Sequence, residues 1–472
     1  MKWKCATCFC VIGSVAWLAS GALPSAAVVR RVNAPFFADA VRFPEAAIFW
    51  FGQVDGLQNY TDVRVAYTSQ ELWINLEIFD QWLWEDDSAS RTAASLEQWD
   101  AATLAIDTGS TAGSAPSTSA YRFVGELGWW RPRTDYQAVY RGTGIAWALS
   151  ASVPFTTETG WRGNAPNDNI EDRGWVITFH IPFSSLGLSG PPPAGTVWRL
   201  GVQIHDKDLG TQPAVAGAAW PEAFTRDQPA TWGQLAFGSR VNPTNAIPPS
   251  ARTYTIRHKY NGMSVKDAMV GGGATCGSGL VDFFAQWGAT NYAQSTTLVT
   301  QNQSDVADWP CFSKVYVDFP LDSLPPDRAV VGATLTVYQF GGSDPTAAQR
   351  SLVQVMTVAD PWDESAITWN SAPLAAENVG EAWVDPILSM LPWPGAARTW
   401  NITWAVSQAY ESGQPVLRLV LYEADAAYHS GKYFTSSDTG DWNEIGRPTL
   451  QVTLGDVGSV PPTAPTNVRI IR

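Results

Sequence analysis

Charge is scarce in this chain: Asp, Glu, Lys and Arg together make up 16% of its 472 residues, and the acids outnumber the bases 44 to 30. The formal charge of -14 includes no basic cluster. A surface of that sign repels nucleic acid and anionic lipid at long range, so neither is expected as a partner. Long apolar runs are missing too. The one candidate, Cys5 to Leu18, is shorter than the ~20 residues that a membrane-crossing helix needs, and membrane insertion is not expected. No GxSxG elbow, HExxH pair or phosphate loop occurs, which removes the common motif-borne chemistries and points away from an enzyme.

Cysteine nearly vanishes once the N-terminus is set aside. Lys2 and Lys4, then the apolar run, then small residues from Ser20 to Ala27 have the order of a secretory signal peptide over residues 1–27, with cleavage expected near Ala26 or Ala27 and a secreted, extracellular product. Its loss would take two bases and no acid, moving the charge from -14 to -16. Cys5, Cys8 and Cys10 would leave with it, and the remaining Cys276 and Cys311 imply one disulfide in an exported chain. Closing a loop of about 35 residues would stabilise the fold by roughly 4 kcal/mol in the chain-entropy model. Two free buried thiols are the alternative.

Helical periodicity is almost absent. The single candidate is "TWAVSQAYESG", where Val406, Ala409 and Tyr410 share a face and Gly413 ends the turn. Elsewhere the apolar period is two: Leu72, Ile74, Leu76 and Ile78 alternate with polar or aromatic neighbours, as do Val315, Val317 and Phe319, and Leu450, Val452 and Leu454. No repeat of solenoid length accompanies this pattern. The fold class expected is all-β, with two tandem β-sandwich, jelly-roll-like domains at residues 28–238 and 252–455. The Pro- and Asn-rich stretch 239–251 is expected to be a flexible linker, and 456–472 a Pro-rich tail resembling the start of a truncated fibronectin type III domain.

Tryptophan is abundant, with 24 residues, more than a core is expected to absorb, since Trp is rarely fully buried. Trp73, Trp175 and Trp198 lie within strand patterns and are expected to pack. Trp82 and Trp84 in "DQWLWEDD", and Trp129 and Trp130 with Arg131 in "ELGWWRPR", lie in turn-like segments where a loop can display them. A flat indole covers the C–H face of a pyranose while polar groups take the hydroxyls, so these residues are the carbohydrate-binding candidates. Capping the sandwich ends is the other role open to them. The acidic runs "EDD" (85–87) and "HDKD" (205–208) are candidates for calcium, although ordinary solvated charge is the simpler expectation.

Taken in order, "GQVDG", "VRVAYTSQELWINLEIFD", "WDAATLAID", "GWVITFHIPFSSLGL", "GTVWRLGVQIHDKD" and "PATWGQLAFG" resemble the family 9 carbohydrate-binding modules over about residues 34–238. That resemblance implies a sugar-binding β-sandwich, in some members with calcium. Relatives of this sandwich also bind haem, but the axial ligands here are poor, with only His180 and His205 in the domain.

The second half carries "VKDAMV", "GATNYAQSTTLV", "SKVYVDFPLDSLPPDRAVVGATLTVYQF", "PWDESAITWNSAP", "WNITWAVSQAYESG" and "GKYFTSSDTGDWNEIGRPTLQV". These resemble the DNRLRE domain, a disaggregatase-related module also classed as carbohydrate-binding family 96, over about residues 252–455. One departure is Asn401 in "WNIT", where that family usually has Asp. Some of its members bind acidic polysaccharides such as alginate, which singles out His429, Lys432 and Tyr433 as candidate uronate contacts.

Asp363 and Glu364, between Trp362 and Trp369, resemble glycosidase carboxylates. Adjacent side chains on extended backbone point opposite ways, however, whereas a glycosidase pair must face each other across about 5 to 9.5 Å. Packing indoles and a turn cap are expected there instead. The function expected is a non-catalytic polysaccharide-binding protein. Alternatives are an accessory part of a glycoside hydrolase or polysaccharide lyase in carbohydrate catabolism, and an extracellular structural or adhesive protein.

Overall fold

The computed structural model describes residues 28–88, 90–110, 112–128, 132–243, 247–272, 282–303, 312–344, 348–425, 430–457 and 470–471. The signal segment, Trp129, Trp130, Arg131, Cys276, Cys311 and His429 lie outside the described residues.

The fold is all-β, two sandwiches with one short helix. In the first, the strands Arg31–Ala34, Gly233–Phe237, Val197–Asp206, Ala101–Asp107 and Ala120–Glu126 are successive neighbours in one sheet. The facing sheet runs Thr156–Arg162, Gly174–Pro182, Glu71–Phe79 and Tyr60–Tyr67. Alternation decides which face meets the core: Leu72, Ile74, Leu76 and Ile78 all point inward with Ile177, Phe179 and Trp175 of the neighbouring strand. Trp198 joins them, and Trp73 packs edge-on against Phe43.

In the second sandwich, Lys266–Gly271, Ser313–Pro320, Val416–Glu423, Ser351–Val358 and Ala375–Val384 face a sheet containing Arg252–Arg257, Thr449–Gly455, Ala329–Gly342 and Lys432–Thr435. The helix Thr403–Glu411 closes one end of this core through Ala405, Val406 and Ala409, and Gly413 stops it at φ +68°.

The two sandwiches are not beads on a string. Arg31 bridges in parallel to Glu377, so one sheet of 13 strands runs through both. Around that bridge Asn33 and Asn378 exchange side chain–backbone hydrogen bonds, with Asn33 N donating to Asn378 Oδ1 at 2.7 Å and Asn378 Nδ2 to Asn33 O at 3.0 Å. Asn370 does the same with Val54, and Gln354 Nε2 donates to Ala46 O at 2.7 Å.

Between the sandwiches lies a shared core in which Trp50, Tyr60 and Phe79 meet Trp287, Trp369 and Tyr422. Lys314 is enclosed there, its ammonium 3.5 Å from the Trp369 ring centroid and 4.1 Å from that of Trp50. It also reaches the Tyr60 hydroxyl, which donates to Asp62 Oδ1 at 2.8 Å.

The first residues of the stretch 239–251, expected to be a linker, are held against the second domain. Arg240 pairs with Glu377 and stacks over Trp404 at 4.4 Å, and Asn242 Oδ1 accepts from Trp404 N at 2.9 Å. Pro and Asn here interrupt strand pairing, yet Arg240 and Asn242 find partners on the second domain.

Candidate functional site

Two exposed indoles mark the second domain. Trp393, 54% exposed, and Trp442, 68% exposed, meet edge-to-face with ring centroids 5.0 Å apart and planes at 89°. Phe340 lies 5.4 Å from Trp393 and 6.4 Å from Tyr433, which extends the surface along the strands Ala329–Gly342 and Lys432–Thr435. Trp393 comes from the turn between Pro392 and Gly395. Gly395 sits at φ +95°, where any Cβ would collide with the Gln339 carbonyl oxygen, so glycine lets that turn close on the strand.

Trp442 is the second residue of the 3-10 segment Asp441–Gly446, and Asp441 beside it accepts from Lys259 at 2.9 Å and from Arg447 at 2.6 Å. The cations next to this aromatic surface are thus already paired, and these two bonds hold the Asp441 carboxyl down at about 2.

Sequence reasoning singled out neither Trp393 nor Trp442. The available signal was their context: "LPWPG" and "TGDWNE" interrupt the alternating pattern, so an indole there cannot be a strand's inward residue. Of the residues that were singled out, Tyr433 borders the surface, its ring facing Phe340. Lys432 does not. It is fully buried, donating to Gln349 O at 2.7 Å, Ser351 Oγ at 3.1 Å and the Ser430 carbonyl, with Glu423 close by. Alternation along the strand turns its side chain inward, so as a contact for an external uronate it is corrected to a core residue.

Trp82 and Trp84 are half-buried at one end of the first sandwich. Trp84 lies flat enough on Gly210 that a Cβ there would clash with its ring. Their backbone amides are held by carboxylates: Trp82 N donates to Asp80 Oδ1 at 3.0 Å and Trp84 N to Asp100 Oδ2 at 2.5 Å. Asp100 also accepts from Lys207 N at 2.8 Å.

Asp80, Asp206 and Asp208 bring carboxylate oxygens within 4.8 Å of one another. Asp80, Asp100 and Asp206 are buried, and Asp206 Oδ1 has no hydrogen-bond partner. Burial first, and then mutual repulsion, raise Asp80 and Asp100 far above the usual carboxylate range and Asp206 to about 7. The Lys207 ammonium turns away to the Gln212 carbonyl and the face of Trp99. The expectation of ordinary solvated charge at "HDKD" is corrected: Asp206 is buried and Asp208 half-buried, beside the Asp80 and Asp100 carboxylates that accept the Trp82 and Trp84 amides. "EDD" behaves likewise, since Glu85 and Asp86 are buried and Asp87 alone is exposed. An oxygen-only, anionic, partly unsatisfied donor set of this kind fits calcium.

The "PWDESAITWN" segment is architectural in most of its parts. Trp362 and Trp369 are buried, Trp362 Nε1 donates to Asp318 Oδ1 at 2.7 Å, and Asp363 Oδ1 accepts from Ser365 N at 2.9 Å as a turn cap. The acids Glu222 and Asp360, which line the groove beside Trp362, are both bound by Arg30.

Residues 285–453 match the model of carbohydrate-binding module family 96. The matched region contains the whole aromatic surface, from Phe340 and Trp393 to Tyr433 and Trp442. Its boundaries fall inside the domain read from the sequence.

Among solved structures, the chain is similar to a family 9 carbohydrate-binding module from Caldicellulosiruptor kristjanssonii in complex with cellotriose, at 14% identity and a TM-score of 0.31, over 46% of this chain and 100% of that one. The module from the same organism in complex with glucose matches at 12% identity and a TM-score of 0.31, again over 46% of this chain and 100% of that one. No curated protein matches the chain.

Proposed function

We propose that this chain is a secreted, non-catalytic polysaccharide-binding protein whose principal platform is the Trp393–Trp442 surface, with calcium held in the first domain by Asp80, Asp206 and Asp208. The observation that carries the reading is the solvent-facing pair of perpendicular indoles inside the region matched to family 96. Two rings at right angles cradle the apolar face and the edge of a pyranose at once, where isolated surface tryptophans would stack only loosely. With Lys259 and Arg447 already bound to Asp441 and the whole chain acidic, a neutral glycan fits this surface better than a uronate.

Asp363 is engaged in a turn cap, and Glu222 and Asp360 in the groove beside Trp362 are paired with Arg30, which supports binding without cleavage there. The test is a titration of the full chain against neutral and uronate-containing polysaccharides, with reducing and unsaturated ends assayed in parallel. Saturable binding to a neutral polymer without product is the expected result. Product formation would replace the binding reading with a catalytic one, and no binding to any glycan would leave a structural or adhesive role.

A further inference from the structure

A second group of acids comes together in the family-96 region from three distant segments. Asp267 projects from the strand Lys266–Gly271, Glu364 from the turn after Trp362, and Asp438 from the turn that follows the strand Lys432–Thr435. Their carboxylate oxygens lie within 4.8 Å of one another. Oxygens within that span can all reach one calcium ion, whose ligands stand at ~2.4 Å.

Two oxygens of this group are buried without a hydrogen-bond partner, Asp267 Oδ1, in a residue only 1% exposed, and Glu364 Oε1. The other oxygen of Asp267 accepts from Ser437 N at 2.7 Å, which fixes the carboxylate's orientation and leaves Oδ1 free. Lys266, next in the strand, directs its ammonium to Asp318 Oδ2 at 3.3 Å, to the Trp362 carbonyl and to the face of the Trp362 ring at 4.3 Å. A buried carboxylate oxygen with no donor is costly, and two of them beside the exposed carboxylate of Asp438 are more so. A cation at their centre answers both deficits.

We propose that Asp267, Glu364 and Asp438 form a calcium site, and that the ion fixes the turn carrying Trp442. Hard oxygen ligands and the absence of any nitrogen or sulfur donor from the group select calcium over zinc. The approach from three separate segments suits calcium's flexible shell better than the tight octahedron of magnesium. Asp438 N donates to Ser436 Oγ, and Ser436 Oγ donates to Ser295 O at 2.6 Å, so the turn has an anchor at its start. The ion supplies the second anchor, at Asp438 itself. From there the chain passes through Gly440, packed against the Trp442 ring, to the indole that faces solvent.

Calcium binding at this site does not rest on the polysaccharide reading, but its effect on a glycan does. The full chain, stripped of metal, would be titrated calorimetrically with calcium chloride in four forms: unchanged, Asp206→Asn, Asp206→Asn with Asp267→Asn, and Asp206→Asn with Glu364→Gln. The Asp206→Asn protein is expected to keep one site, and each double variant to lose that site or weaken it at least tenfold. Glu364→Gln is the milder change, because this half-buried side chain lies in a turn, so it decides the matter should Asp267→Asn fail to fold. Unchanged calcium binding in folded Asp206→Asn/Glu364→Gln would overturn the proposal. Calcium bound as expected by a protein that binds no glycan would leave this site standing and remove the polysaccharide reading alone.

Discussion

The Trp442 indole stands perpendicular to that of Trp393, centroids 5.0 Å apart, with both rings open to solvent. Neither ring is needed to fill a core, and their mutual contact holds a geometry that a single surface indole would not keep. Trp442→Ala is therefore expected to weaken binding to a neutral polysaccharide by tenfold or more, the usual cost of removing an aromatic anchor at about 2 kcal/mol. Because the side chain is so exposed, the urea midpoint should hardly move, corresponding to within about 0.5 kcal/mol. Equal affinity in the variant would take the platform away from this pair.

Lys432 and Tyr433 are neighbours in sequence with opposite fates. Lys432→Ala removes a buried cation from beside Glu423 and should destabilise the chain by about 3–5 kcal/mol. Glycan affinity of the protein that remains folded should be unchanged. Tyr433→Ala should do the reverse, weakening binding with little loss of stability. Equilibrium unfolding and glycan titration on the two variants separate these outcomes.

At the domain junction Lys314 is buried among aromatic rings, and its proton-bearing form is opposed by desolvation and favoured by Asp62. Lys314→Met keeps the volume but leaves the Asp62 carboxylate with Arg64 alone, 4.0 Å away and shared with Glu77, so stability should fall by about 3 kcal/mol. Adding Asp62→Asn should recover part of that loss, since the uncompensated charge is gone. Both sandwiches should unfold in one transition, visible as coincident fluorescence and circular dichroism curves in urea; two separate transitions would show that the shared core does not couple them.

Glu126 provides a pH signature. Burial, only partly offset by the amide of Asp86, raises its carboxyl to about 8. The folded chain then keeps a proton that the unfolded chain releases near its ordinary value of 4.5, so folding binds protons between these limits and stability falls as pH rises through the window. Glu126→Gln retains the acceptor and removes the titration. Its melting temperature relative to the unchanged protein should climb steadily from pH 5 to pH 8, and parallel curves would mean that the carboxylate is already ionised in the fold.

Much of the fold was legible because a strand with one buried face declares itself. Leu72, Ile74, Leu76 and Ile78 alternate in the sequence and all reach the core. The same rule misleads on the strand Tyr60–Tyr67, where Asp62 and Arg64 read as a solvent face yet are buried, because the second sandwich covers them. Alternation records that a face is polar, and it is silent on whether another domain pairs that polarity.

The acid groups were partly hidden for a related reason. Adjacent Asp363 and Glu364 were read correctly as diverging, one side chain capping its own turn and the other going to a distant cluster. Nothing local tells Glu364 that Asp267 and Asp438 are its neighbours, because that meeting is made by strand order. The aromatic surface was missed because its two indoles come from separate turns and become one feature only in three dimensions.

The bridge from Arg31 to Glu377 makes the pair of sandwiches a ruler, not a leash. With a slack connection, a second sugar contact would be governed by how far the connecting chain could stretch. Here the interval between the Trp82–Trp84 end and the Trp393–Trp442 surface is set by hydrogen-bonded strands. A polymer that touched both would have to present its own sugars at that interval. Selectivity could then arise from the repeat and stiffness of the polysaccharide, even where each surface by itself discriminates poorly among sugar rings.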